Sequence, residues 1–85
     1  MKQESLRLEE YFKSSDLALS ATISIWYPLD AIDNTENPHK AVFLFKRDQQ
    51  LDQLVQSYWK GELRVNPLEF YQALRTIKAR LYETR

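Results

Sequence analysis

His39 is the single histidine of the 85-residue chain, and it follows Pro38 in a polar run. General acid–base or nucleophilic chemistry needs a carboxylate or an activated hydroxyl beside such a group. Ser14 and Ser15 are the hydroxyls to weigh, but no nucleophile-elbow pattern surrounds them. Ser14-Ser15-Asp16 reads better as a helix start, with short oxygen side chains capping free N–H groups and an acid at the positive end of the dipole. His39 is then a solvent-exposed turn residue.

The acidic run Asp33-Asn34-Thr35-Glu36-Asn37-Pro38 invites a calcium test. Asp33, Thr35 and Asn37 fit positions 1, 3 and 5 of an EF-hand loop, but position 6 is Pro38 instead of glycine and position 12 is Leu44 instead of glutamate. No metal site is expected. Phosphate cradles need several glycines, and this chain has one, Gly61, placed where a helix ends. No cofactor is expected. The twelve Asp and Glu side chains carry no second signal that singles out an acid–base pair. The expected protein is not an enzyme.

Two patterns fit binding. On the last helix, Tyr71, Arg75, Lys78 and Tyr82 fall within a ~60° sector beside the core stripe, with Arg64 just upstream. Cations there contact phosphates and tyrosines stack on bases, which describes a nucleic-acid-binding surface. The alternative for these residues is tyrosines flanking the core and cations reaching to solvent. The second pattern is aromatic. Phe43 and Phe45 share one strand face, spaced like the stacking rings of RNA-recognition sheets, but the glycines and the β-α-β-β-α-β order of that motif are absent. Core packing suits both rings better. They and Trp59, at the edge of a helical stripe, are nonetheless the candidates for contact with a protein partner.

Composition sets the bounds. The net charge is zero but uneven: residues 1–43 hold four basic and seven acidic side chains, or −3, and residues 44–85 hold eight and five, or +3. That excludes a uniformly basic nucleic-acid binder and leaves room for a basic face in the second half. The absence of cysteine fits a reducing compartment. Met1 to Glu10 is charged and lacks the apolar core of a signal peptide. No apolar run approaches the ~18 residues of a membrane helix. The expectation is one cytoplasmic domain, residues 1–85, with 1–10 as a flexible lead-in.

The elements that must position these residues follow from local signals. Tyr11 and Phe12 either add a short strand or anchor the tail. Leu17 to about Ile25 reads as a helix, although Thr22, Ile23 and Ile25 are β-branched. Trp26 to Ile32 and Ala41 to Phe45 read as two strands of an antiparallel hairpin across the polar turn. Asp48 caps a helix over Gln49 to Trp59 whose stripe is Leu51, Leu54, Val55 and Tyr58. Gly61 sits at its left-handed end. Glu62 to Val65 is an extended link. Asn66 caps and Pro67 begins a helix to about Tyr82. Its stripe, Phe70, Leu74, Ile77 and Leu81, is expected to pack on the stripe of the preceding helix. The class is α+β, a small single domain of order α-β-β-α-α with an antiparallel hairpin packed on helices. Both faces of the second strand are apolar, so either helices cover both or one meets a partner.

The ordered residues Ser15-Asp16-Leu17-Ala18-Leu19, Asn37-Pro38, Val42-Phe43-Leu44-Phe45, Leu54-Val55, Tyr58-Trp59, Leu63-Arg64-Val65, Pro67, Phe70, Leu74, Ile77-Lys78 and Arg80-Leu81-Tyr82 carry a further signal. From about Phe12 to Tyr82 the chain resembles a family of short bacterial and phage domains of unknown function. The family's usual glycine between first helix and first strand is replaced by Ile25-Trp26-Tyr27. The resemblance implies one compact α+β domain and no particular activity. The residues themselves favour a non-enzymatic protein-interaction module, with an unknown protein partner or a weak homodimer through the hairpin or the Trp59 edge. Nucleic-acid binding through the last helix is the alternative.

Overall fold

A computed structural model describes residues 10–33 and 40–83. Residues 1–9, residues 34–39 with Glu36 and His39, and residues 84–85 with Arg85 lie outside the described residues. The elements are β1 (Tyr11–Ser14), α1 (Leu17–Ser24), β2 (Ala31–Asp33), β3 (Val42–Lys46), α2 (Gln49–Trp59) and α3 (Pro67–Glu83). The α+β class and the α-β-β-α-α order hold, preceded by the extra strand β1. The sheet order is β1-β3-β2, all antiparallel. Tyr11 pairs with Lys46 and Ser14 with Phe43 on one side of β3, while Ala31 pairs with Leu44 and Asp33 with Val42 on the other. The hairpin of β2 and β3 is therefore present, with β3 as the central strand.

Each helix starts on a side-chain cap. Asp16 Oδ1 accepts the Leu19 N–H at 3.0 Å, Asp48 Oδ1 accepts the Leu51 N–H at 2.7 Å, and Asn66 Oδ1 accepts the Leu68 N–H at 2.9 Å and the Glu69 N–H at 3.2 Å. These bonds satisfy donors that a helix leaves free at its first turn. The end of α2 is a Schellman turn: the Gly61 N–H donates to Tyr58 O and the Glu62 N–H to Ser57 O, each at 3.0 Å. Gly61 has φ +73°, and an added Cβ there meets no atom within 4 Å. The strain of a side chain at this position lies wholly in its own backbone.

The expected strand over Trp26 to Ile32 is shorter. The Trp26 and Tyr27 N–H groups both donate to Ile23 O, at 3.0 and 2.9 Å, and close α1 with a turn. Pairing resumes only at Asp30, whose N–H donates to Leu44 O at 2.9 Å.

The core consists of Leu19 and Ile23 from α1, Phe43 and Phe45 from β3, Leu51 from α2 and Ile77 from α3. Every helix thus meets the Phe43–Phe45 face of the sheet. Leu54, Val55, Tyr58 and Leu81 pack around this cluster. The stripes of α2 and α3 do not form a pair as expected. The main partner of α3 is α1, and α2 also packs on α1. Leu19, Ser20, Ala21, Thr22 and Ile23 are all buried, so the middle of α1 is enclosed, while Ala18 in its first turn is exposed. Small residues, including the polar Ser20 and Thr22, let this stretch sit inside the fold. On α3 the fully buried residue is Ile77, and Leu74 is only half-buried.

Two hydroxyls of α1 bond back to the helix, Thr22 Oγ1 to Ala18 O at 2.9 Å and Ser24 Oγ to Ala21 O at 2.7 Å. Ser20 Oγ is buried without a hydrogen-bond partner. Two substitutions in this core therefore shift stability in opposite directions. Ile77→Ala should cost about 2 to 5 kcal/mol through lost transfer energy and a cavity. Ser20→Ala should stabilise by about 1 kcal/mol, because it removes an unpaired hydroxyl and introduces the best helix former. Urea melts check both, and a destabilising Ser20→Ala would mean that the hydroxyl has a partner. Gly61→Ala should cost about 1 to 2 kcal/mol from the left-handed backbone alone. A neutral result in the same melts would place the end of α2 elsewhere.

Candidate protein-binding surfaces

The sequence candidates divide sharply by exposure. Phe43 and Phe45 are 3% and 0% exposed and belong to the core, so neither ring offers a surface to a partner. Their strand has no free edge either, because β3 is hydrogen-bonded on both sides. The opposite face of β3, with Val42 and Leu44, is turned away from the core cluster and is half-buried. Trp59 is 63% exposed. Its ring stands edge-on to Tyr58, with centroids 5.0 Å apart and planes at 87°. Tyr58 is half-buried against the core, so this T-shaped contact holds an exposed indole at the end of α2.

Tyr71, Arg75, Lys78 and Tyr82 all lie exposed on α3. Tyr71 is 55% and Tyr82 63% exposed, and the Arg75 guanidinium lies 5.8 Å from the centre of the Tyr71 ring. Leu68, also exposed, joins them. At 100° per residue the five side chains occupy a sector of about 80° and run for roughly 21 Å along the helix. The sector holds two cations and no carboxylate. Sequence reasoning passed over Leu68, although its helical angle signalled it. Arg64 is not gathered into this group. Its Nη1 turns to the carbonyls of Gly61 and Leu63, each at 3.4 Å, at the end of α2.

The other flank of α3 faces a cleft of about 450 Å³, lined by Ile25, Trp26, Glu69, Gln72, Ala73 and Thr76. Trp26 is half exposed there. It was missed because its apolar neighbours read as a strand, where the ring would have packed against a sheet.

One titratable contact links the turn after α1 to the start of α2. The Tyr27 hydroxyl donates to Asp48 Oδ1 at 3.3 Å. Burial, then the Asp48 charge and this bond, push the Tyr27 hydroxyl above its usual 10.0. Burial, then the Asp16 charge, push Tyr58 up as well. Both carboxylates cap helices, and the Tyr27–Asp48 bond ties the turn after α1 to the start of α2. Among the described residues, no three His, Cys, Asp or Glu side chains gather to hold a metal ion.

The model of a family described as a domain of unknown function, DUF5659, matches residues 27–83, and the chain belongs to that family. No curated protein and no solved structure matches the chain. The matched segment spans β2, β3, α2 and α3 and leaves out β1 and α1, the helix on which α2 and α3 both pack. No helix among the described residues is long and apolar enough to cross a membrane.

The raised tyrosines make the fold sensitive to alkaline pH. A group whose folded value lies above its unfolded value contributes fully below the unfolded value and loses that contribution as pH rises through the folded one. Thermal melts between pH 7 and 12 should therefore show a loss of stability that begins near pH 10. Tyr27→Phe with Tyr58→Phe should flatten that loss, and an unchanged alkaline slope in the double variant would refute the assignment.

Proposed function

We propose that this domain is a small non-enzymatic binding module of the cytoplasm whose partner is a protein. The observation that carries this reading is the outer flank of α3. Leu68, Tyr71 and Tyr82 are each more than half exposed on one side of a well-capped helix, with Arg75 and Lys78 between them. Large aromatic side chains left in water on a rigid element are the usual anchors of protein interfaces, and arginine is enriched beside them. Trp59, held by Tyr58, supplies a further anchor at the end of α2. The flank faces away from the core, so it is spent on contact without loss of packing. A weak homodimer is the simplest version of this reading, now through α3 or Trp59 instead of the buried phenylalanines.

Nucleic-acid binding is the second reading, favoured by one feature: the sector carries Arg75 and Lys78 with no acid between them. The whole helix is nearly balanced, with Arg75, Lys78 and Arg80 against Glu69 and Glu83, which weakens long-range attraction to a polyanion.

Tyr71→Ala with Tyr82→Ala tests the leading reading. In capture from the native cell, quantified by mass spectrometry, the double variant should retain a specific partner at least about thirtyfold less than the unmodified chain, as loss of an aromatic anchor worth about 2 kcal/mol implies. Its melting temperature should hold, because both rings are exposed. If wild type and variant retain the same proteins, and the protein sediments as a monomer into the high micromolar range, the reading fails. A gel shift at low salt that Arg75→Ala with Lys78→Ala abolishes would move the assignment to nucleic acid.

A further inference from the structure

The cleft on the inner flank of α3 has a chemistry of its own. One wall is the half-exposed indole of Trp26, which stands just past the end of α1. The facing wall is α3, which contributes Glu69, Gln72 and Thr76, and the floor includes Ile25 and Ala73. Among the described residues, the Glu69 carboxylate has neither a hydrogen bond nor an ion pair. An acid in the first turn of a helix suits the dipole, but that does not explain a half-exposed tryptophan lining the same cleft. Aromatic face, unpaired carboxylate and amide side chain together match a planar cation, since the ring attracts positive charge through its quadrupole and the carboxylate accepts two parallel N–H bonds from a guanidinium.

We propose that this cleft seats the side chain of an arginine presented by a partner protein. The guanidinium stacks on Trp26 and donates to Glu69, and its aliphatic stem lies on Ile25 and Ala73. A smaller cavity of about 200 Å³ continues the cleft, sharing Ala73 and Thr76 and ending at Leu29 and Arg80. Arg80 does not oppose the cation. Its Nη1 is turned to the Leu29 carbonyl at 3.5 Å, and it stands about 16 Å along the helix from Glu69, beyond the screening length of physiological salt. The cleft lies on the opposite flank of α3 from Tyr71 and Tyr82, so this seat is a second contact and does not depend on the first.

The test uses the full chain with Trp59→Phe, which leaves Trp26 as the sole tryptophan, because the sequence has two. Fluorescence is followed against N-acetyl-arginine methylamide and against its citrulline counterpart, which keeps the shape without the charge. The arginine probe should give a saturable change with half-saturation on the order of millimolar, as a single exposed side-chain contact allows, and the citrulline probe should give none. Glu69→Gln should raise the half-saturation roughly three- to fivefold, the range of one exposed charge contact. Trp26→Leu, followed by the Gln72 and Thr76 amide shifts, should abolish binding. Tyr71→Ala with Tyr82→Ala should leave the titration unchanged, so failure of the outer-flank reading is seen separately. Equal responses to both probes, a response still linear at about 50 mM, or indifference to Glu69→Gln would overturn the proposal.

Discussion

The burial of α1 is the constraint from which the remaining packing follows. Five consecutive residues, Leu19 to Ile23, are buried, so the middle of this helix turns no side to water. Small residues at Ser20, Ala21 and Thr22 bring neighbouring backbones close, and Leu19 and Ile23 fill the space toward Phe43 and Phe45. With α1 enclosed, α2 and α3 need only one apolar stripe each. The opposite sides of those two helices are then free for polar or contact residues. Enclosure has a cost in the lone Ser20 hydroxyl, while Thr22 and Ser24 avoid that cost by bonding to carbonyls one turn back.

A domain this small buries a limited fraction of its surface, and its helices depend on termini that do not fray. The same device recurs three times: a side-chain oxygen of Asp16, Asp48 or Asn66 takes N–H groups of the first turn. Asp48 does more, since it also accepts the Tyr27 hydroxyl and so ties the turn after α1 to the start of α2. Arg47, beside it, pairs with Asp52 at 2.9 Å, but both groups are largely exposed and such a pair adds little. At the other end, the Gly61 turn stops α2 directly after Trp59. The edge-on Tyr58 ring packs against the indole, which stays exposed to solvent.

The two flanks of α3 differ in chemistry. One carries aromatic and aliphatic side chains with Arg75 and Lys78 between them; the other faces Trp26 across a cleft and carries Glu69. Both exist because Ile77 and Leu81 hold the helix to the core by a narrow stripe. The segment matched by the family model begins at Tyr27. It includes the α3 side of each surface but neither Trp26 nor α1, so the cleft is completed by residues upstream of that segment.

The sequence by itself determined the features that act over a few residues. Asp48, Gly61 and the pair Asn66-Pro67 marked helix ends because caps, left-handed turns and a fixed proline φ are settled by neighbours within one turn. The range of α2 was legible residue for residue, and the stripes of α2 and α3 named the side that turns inward. Tertiary structure decided what lies across from each element. The pairing of Tyr11 with Lys46 joins residues far apart in the chain, so β1 has no local signature beyond two aromatic residues. The apolar run after Ser24 matched a strand in composition, yet the Ile23 carbonyl takes the Trp26 and Tyr27 N–H groups and pairing with β3 begins only at Asp30. Alternation along β3 separated Phe43 and Phe45 from Val42 and Leu44 without saying which pair turns to the core. That choice, and the choice of α1 as the partner of α3, rest on which arrangement removes most apolar surface from water at once, and burial of that kind is a property of the assembled fold.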